Sequence, residues 1–509
     1  MIELSAEEIA AVTGGRLTGT ADPEATIGSV VTDSRQVRAD AMFVAKPGEF
    51  ADGHSFIGTA FDAGAVLALA ERAVRDASGA EYPSVIVDDA VLAMGAVAAE
   101  VIRRLRAAGE LTVIGITGSA GKTTTKDLLS AVLSNAAPTV APVNSYNGEV
   151  GVPLTVFEAG FSTRYLIIEM GATGIGHIDY LARMVAPDIG VVLGVGSAHA
   201  GEFGSIENIA RAKGELVETL GADGIAVLNA DDARVAAMGD RTAARVLSFS
   251  SGRQDTELQE TGLVIGSHLE TTREGHPAFD VTFPDGSGGH VVSGLLGTHH
   301  VVNLLAAATA AFAAGLDGTG IVSGLSGQSA GSRWRMERTE RADGVTVIND
   351  AYNANPESMR AALRTLAELG RGRRTWAVLG EMLELGDESV EQHDAVGRDV
   401  VRLNISRLLA VGNGARAIHN AAVLEGSWGD EAAYAADVDE AEHVLRTELQ
   451  PGDLVLFKSS NGAALRLLGD RIASTQDRVE ETGEGTATGP AKGPAKGPAK
   501  GKEEGQPHS

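Results

Sequence analysis

The segment Gly118-Ser119-Ala120-Gly121-Lys122-Thr123-Thr124 follows directly on the apolar run Thr112-Val113-Ile114-Gly115-Ile116, and few folds accommodate that order. Glycines let backbone N–H groups turn inward around phosphate oxygens, and a helix opening near Lys122 adds positive potential at its N-terminus. In such a loop Lys122 reaches the β- and γ-phosphates and the Thr123 hydroxyl faces a Mg²⁺ ion. A strand, a phosphate loop and a helix in succession predict a parallel α/β sheet. The usual spacing places a glycine five residues before Gly121, where this chain has Ile116. The loop is therefore a shortened variant, which argues against motors and small GTPases and for a distinct ATP-using group.

The same rhythm recurs. Tyr165–Ile168, Ile189–Leu193 and Ile225–Leu228 are near-continuous apolar runs separated by helical stretches, the pattern of a parallel sheet covered on both faces. Before the loop, Val85–Val87 reads as a strand and Ala90–Ala108 as an apolar-faced helix. Around 255–295 shorter polar alternation predicts a small antiparallel excursion, closed by a helix from about His300 to Ala314. A further series begins near Arg333, with runs at 345–348, 376–379, 408–411 and 454–457. The predicted architecture is α/β in three domains, 1–108, 109–331 and 332–480, the central one ATPase-like and the last Rossmann-like. Residues 481–509, with three Gly-Pro-Ala-Lys repeats and almost no apolar side chains, predict a disordered tail.

Composition limits the function. Against 42 Lys+Arg stand 68 Asp+Glu, a formal net charge of −26. The tail balances Glu481, Glu484, Glu503 and Glu504 against Lys492, Lys496, Lys500 and Lys502, so the predicted domains carry the excess. A body this acidic disfavours nucleic acid as a partner. With no cysteine there is no thiol catalysis, thiolate zinc site or disulfide. Met1-Ile2-Glu3-Leu4 lacks the basic start and apolar run of a signal peptide, and no apolar stretch is long enough to span a bilayer; the expectation is a cytoplasmic, monomeric protein without membrane insertion.

Three downstream residues could take part in the chemistry. Glu169 ends a strand at the sheet edge where ligands are presented, and is either a Mg²⁺ ligand or an ordinary strand-end acid. His199, in Gly196-Ser197-Ala198-His199, also follows a strand and is either structural or functional. Lys213 sits on a helix capped by Ser205; by default it is a solvated lysine, while a buried one could act as a nucleophile or take up CO₂ as a carbamate.

Taken in order, these residues resemble the Mur ligases of peptidoglycan synthesis over about residues 1–475. Asp33-Ser34-Arg35 and Phe43–Gly48 are similar to the family's UDP-sugar domain, Gly118–Thr124 to its ATP loop, and Gly151–Thr155 and Asn229–Asp232 to further family stretches. Asp350-Ala351-Tyr352-Asn353-Ala354-Asn355-Pro356 and Leu379–Gly386 resemble the branch that adds D-alanyl-D-alanine to UDP-N-acetylmuramoyl-tripeptide. The resemblance implies ATP and two Mg²⁺ ions, one held by Thr123 and Glu169, the other by His199 and a carbamylated Lys213. It further implies nucleotide contacts from Asn303, Arg335 and Asp350, and substrate contacts from Ser34, Arg35, Asn147, Thr155, Asn353 and Asn355. It also implies an acyl-phosphate route to an amide bond. Three positions depart from the family pattern: Gly148 follows Asn147, His300 follows His299, and Asn461 stands where the family has Arg. The alternatives are a sibling ligase adding a single amino acid and, in a different class, a P-loop ATPase switch.

Overall fold

The computed structural model describes residues 1–48, 51–196, 200–252, 262–329, 331–426 and 431–474. The expectations for His199 and for the tail at 481–509 lie outside these residues. Among the described residues the β-branched runs form three large sheets of five, nine and six strands.

The first sheet comprises β1 (Arg16–Leu17), β2 (Ser29–Val31), β3 (Ala41–Ala45), β4 (Ala65–Ala70) and β5 (Ser84–Ile86), in the order β1-β5-β4-β3-β2. Helix α1, Ala90–Ala108, leaves it with Asp89 accepting from the Val91 and Leu92 N–H groups. Its Ala90, Ala93, Met94, Val97, Val101 and Leu105 recur at helical spacing and are buried. At its last turn Arg106 grips Asp188 with both guanidinium Nη atoms, each at 2.9 Å, and so ties this part to the central sheet.

The central sheet opens with β6 (Thr112–Thr117), followed by helix α2 (Lys122–Ser134), β7 (Thr139–Val140), β8 (Tyr165–Glu169) and β9 (Ile189–Val192). Helix α3 (Ile206–Glu218), β10 (Ile225–Asn229) and β11 (Arg245–Ser250) follow. The antiparallel excursion consists of β12 (Leu263–Thr271), β13 (Pro277–Thr282) and β14 (Gly288–Val292); β12 pairs in parallel with β11, so the excursion extends the central sheet rather than forming one of its own. The order is β14-β13-β12-β11-β10-β9-β6-β8-β7. Helix α4 (Val301–Ala313), rich in alanine, packs closely against α2 and is buried along nearly its whole length. Truncating Leu304 or Leu305 there would cost about 2–5 kcal/mol.

In the third sheet, β15 (Glu337–Glu340), β16 (Thr346–Asn349), helix α5 (Pro356–Leu369), β17 (Thr375–Leu379), β18 (Arg407–Val411), β19 (Ala432–Ala435) and β20 (Leu454–Lys458) give the order β15-β16-β20-β17-β18-β19. Only β15 runs antiparallel to its neighbour. This strand, Glu-Arg-Thr-Glu, has no apolar run, as expected of a solvated edge strand, and hydropathy gives no sign of it. Among the described residues no helix is long and apolar enough to cross a membrane.

Candidate active site

Gly121 turns the chain from β6 into α2 with φ of 82°, a left-handed conformation that disfavours a Cβ. A Cβ there would lie 2.1 Å from Asn303 Oδ1, so the amide of α4 closes directly over the loop. Above the C-terminal ends of β6, β8 and β9 lies a cavity of about 930 Å³, the size of a nucleotide-binding cleft. Its walls bring together Ser119, Ala120, Gly121, Lys122, Thr123 and Thr124 from the loop, Asn147 and Glu169 beside it, Asn303 from α4, and Arg335, Asp350, Asn353 and Asn355 from the third sheet's side. The Gly118 carbonyl accepts from Lys122 Nζ at 2.8 Å, folding the lysine back over the loop. Burial lowers the Lys122 amine below the usual lysine range, opposed by the charges of Glu169 and Glu384 and reinforced by Arg335.

Glu169 is fully buried and hydrogen-bonded at both oxygens. Its Oε2 accepts from Thr123 Oγ1 at 2.9 Å, and its Oε1 from Ser145 Oγ at 2.6 Å and Asn147 Nδ2 at 2.8 Å. A carboxylate and a hydroxyl side by side at the phosphate loop form a hard-oxygen donor set, and they fit one Mg²⁺ shared with phosphates. Arg335 Nη2 donates to Thr123 Oγ1 at 3.1 Å, so the segment leading into the third sheet reaches the loop itself. The Arg335 guanidinium lies 4.6 Å over the Tyr352 ring, and the Asp127 carboxylate on α2 accepts from the Ser332 N–H at 2.9 Å, fixing the approach of that segment. Asp350 pairs with Lys458 at 2.6 Å, and Lys458 Nζ also donates to the Asn353 carbonyl at 3.1 Å.

Lys213 is not solvated. It is 3% exposed, and burial, with Lys122's charge second, lowers its amine to about 7. It does not line the cavity, and nor do Thr155, Ser34 and Arg35. The Thr155 hydroxyl is used within its own helix, donating to the Gly151 carbonyl at 2.9 Å, and the Arg35 side chain is 87% exposed and paired with Asp33 at 2.7 Å.

The departures sort themselves by position. A Cβ on Gly148 would meet open space. Asn461 is exposed and does not line the cavity. His300 does line it; Asn303 Nδ2 donates to its Nδ1 at 3.0 Å, and burial, with His299 next, pushes it well below the ordinary histidine range. Sequence reasoning missed Lys458, Ser145 and Glu384. Lys458 ends β20 at the same sheet edge that singled out Glu169 and could have been found by that rule. Ser145 lies in an irregular segment without a pattern.

Comparison with known proteins identifies the family. Residues 26–114 match the family described as "Mur ligase family, catalytic domain", 116–311 "Mur ligase middle domain" and 334–461 "Mur ligase, glutamate ligase domain". The chain is 42% identical to the UDP-N-acetylmuramoyl-tripeptide–D-alanyl-D-alanine ligase of Mycobacterium tuberculosis, over 93% of this chain and 98% of that protein. The chain belongs to the Mur ligase family. Among solved Mur ligases it superposes on MurF from Acinetobacter baumannii with a TM-score of 0.81 at 30% identity, covering 93% of this chain and 100% of that one. The MurF ligase of Thermotoga maritima in complex with ADP gives 0.72 at 26% identity, covering 87% and 97%.

Proposed function

We propose that this Mur ligase uses ATP to join D-alanyl-D-alanine to UDP-N-acetylmuramoyl-tripeptide in peptidoglycan precursor synthesis. The observation that carries the reading is the Arg335–Thr123 hydrogen bond of 3.1 Å, which joins the third sheet's side to the phosphate loop in one site. The likeness to ligases of that name over nearly the full chain supplies the substrates. We assign the UDP-sugar end to residues 1–108, with Ser34 and Arg35, the nucleotide to 109–331 and the dipeptide to 332–480, with Asn353 and Asn355. The setting is cytoplasmic and the chain acts as a monomer.

Joining a carboxylate to an amine in water is unfavourable without activation. The tripeptide's terminal carboxylate attacks the γ-phosphorus of ATP, forming an acyl phosphate and releasing ADP. The neutral dipeptide amine attacks the acyl carbon, the C–O bond to phosphate breaks, and the proton lost from nitrogen leaves with the phosphate. In the first step two anions meet, and Lys122 and Arg335 oppose their repulsion in a cavity where such charges act strongly. Thr123 and Glu169 would hold one Mg²⁺, which neutralises phosphate charge when bound. A second would rest on His199 and Lys213. Its low amine basicity suits Lys213 to carbamate formation, which converts a buried cation into an oxygen ligand. Placing the third sheet's side over the loop excludes water that would hydrolyse the acyl phosphate.

A substrate matrix tests this: UDP-muramoyl-tripeptides crossed against free amino acids and D,D-dipeptides, with phosphate release and amide product both read. Phosphate should appear only with muramoyl-tripeptide and D-alanyl-D-alanine together. Preference for a free amino acid would favour a sibling ligase, and comparable release with neither acceptor an ATPase switch.

A further inference from the structure

Arg335 carries the bridge to the phosphate loop, yet little holds its head group in place. Its Nε is buried and finds no partner among the described residues, and its Nη2 donates at 3.1 Å to Thr123 Oγ1. That hydroxyl is also the one proposed to face Mg²⁺, so a metal there competes with the guanidinium for the same oxygen. The aim of Arg335 therefore has to come from the chain behind it, and that chain is unusual. Trp334 and Met336, on either side, both hold left-handed backbone, with φ of 59° and 54°. Residues with a Cβ keep this conformation only where the surroundings enforce it, and such strain clusters at functional sites.

The surroundings here do enforce it. The Ser332 N–H is fixed to Asp127 on α2, the Trp334 N–H donates to Glu337 Oε2 at 2.9 Å, and the Met336 N–H donates to Asp350 Oδ1 at 3.1 Å. The Trp334 carbonyl accepts from the Tyr352 N–H at 3.3 Å. The side-chain anchor of the twist is the Trp334 indole, whose Nε1 donates to both oxygens of Asp470, at 3.0 and 3.1 Å, on helix α6 (Leu465–Ala473). Asp470 is fixed in turn by Arg333 Nη2 at 2.9 Å and Asn349 Nδ2 at 3.1 Å. The indole lies nearly parallel to the Tyr352 ring, with centroids 6.4 Å apart and 17° between the planes, and the other face of the contact chain is Arg335, 4.6 Å over Tyr352. Contacts thus run from α6 through Trp334 and Tyr352 to the guanidinium at the loop. Trp334 itself does not line the cavity.

We infer that Trp334, anchored by Asp470, is a positioning residue for Arg335: it fixes the backbone twist and the Tyr352 ring that together aim the guanidinium at the phosphate loop. The inference rests on the proposed ligase function. It places part of the control of the first step outside the cavity, in a residue that acts through Arg335 and meets no reactant.

The test is a double-mutant cycle on the full-length protein, with Trp334→Phe, Arg335→Ala and the two combined, read by steady-state kinetics with each substrate varied in turn. Phenylalanine keeps an aromatic ring beside Tyr352 and removes the N–H that meets Asp470. Then kcat should fall roughly tenfold, the worth of one hydrogen bond to a charged group, while KM for D-alanyl-D-alanine and for the muramoyl-tripeptide stays near the wild-type values. In the Arg335→Ala background the same substitution should change kcat by less than about twofold, because no guanidinium remains to be aimed. Asp470→Asn weakens the bond from its other end and should follow the same pattern, with kcat lowered when Arg335 is present and no further loss without it; this variant decides the question if Trp334→Phe does not fold. Wild-type kcat in Trp334→Phe, or an equal fold-loss with and without Arg335, the mark of a purely structural role, overturns the inference and leaves the ligase function standing. Failure of the wild-type protein to ligate the dipeptide at all overturns the function itself.

Discussion

Substituting alanine for Gly121 tests the loop most directly, because the structure supplies both terms of the cost. The left-handed backbone, φ 82°, costs alanine about 1–2 kcal/mol. The new Cβ would stand 2.1 Å from Asn303 Oδ1, and that amide has little room to yield. Asn303 is 6% exposed, its Oδ1 accepts from Thr125 Oγ1 at 3.4 Å, and its Nδ2 donates to His300 Nδ1 at 3.0 Å. Breaking one of those bonds in a buried setting costs about 1–3 kcal/mol. If the loop moves instead, its N–H groups lose their aim at the phosphates. Titration calorimetry with ADP should show at least roughly thirtyfold weaker binding, the equivalent of about 2 kcal/mol. Denaturant unfolding separates the terms: adding Asn303→Ala to Gly121→Ala removes the steric clash but leaves the backbone cost, so the double variant should recover about 1–3 kcal/mol relative to additivity. Wild-type ADP affinity in Gly121→Ala, or strict additivity in the double variant, would refute the argument.

Lys213→Met should abolish ligation yet stabilise the fold at neutral pH. With the folded amine lowered to about 7 from 10.5, the unfolded chain takes up a proton between those values that the folded one refuses. Stability is therefore lost as pH falls from 10.5 towards 7, by about 4–5 kcal/mol, and melts in bicarbonate-free buffer should show the methionine variant's advantage growing over that window and absent at pH 10.5; an equal advantage at both ends contradicts the burial account. Arg335→Lys keeps the charge but not the planar fork that stacks on Tyr352 while reaching Thr123, so kcat should fall roughly a hundredfold with an unchanged unfolding midpoint; near-normal turnover would show that charge alone suffices.

How far the site was legible depended on whether a residue's task leaves a local pattern. The loop and Glu169 were readable because both sit at strand ends marked by apolar runs, and a parallel sheet gathers those ends on one edge. Lys213 carried a signal that the solvated reading overlooked: Ile209, Lys213, Leu216 and Leu220 follow one another at helical spacing, which places the lysine on the apolar face. Ser145, by contrast, meets Glu169 from across 24 positions of chain, without periodicity to reveal it. Strand β15 escaped notice because an edge strand of charged residues has no buried face to leave a hydropathy trace. Thr155 lies in a stretch whose visible geometry is local: its hydroxyl closes a helical turn and does not line the cavity.

The acidity of the chain carries through to the site. A body of net charge −26 that handles ATP and a nucleotide sugar would be expected to line its cleft with cations. Yet the cavity wall carries Lys122, Arg335 and Lys458 against Glu149, Glu169, Asp232, Asp350, Glu357 and Glu384, and Lys458 is already paired with Asp350. Arg35, the other cation the sequence suggested, is not on this wall. Side-chain charge on this wall therefore falls short of a triphosphate, and beyond the loop's N–H groups the balance would come with the reactants, as divalent metal on the phosphates. An arrangement of this kind makes binding conditional. Metal-free nucleotide would meet a wall of its own sign, whereas a nucleotide–metal complex would meet Thr123 and Glu169, a donor pair suited to a hard divalent ion. The carboxylates that give the chain its acidity would thus make the cleft selective for the metal-bound form of the nucleotide.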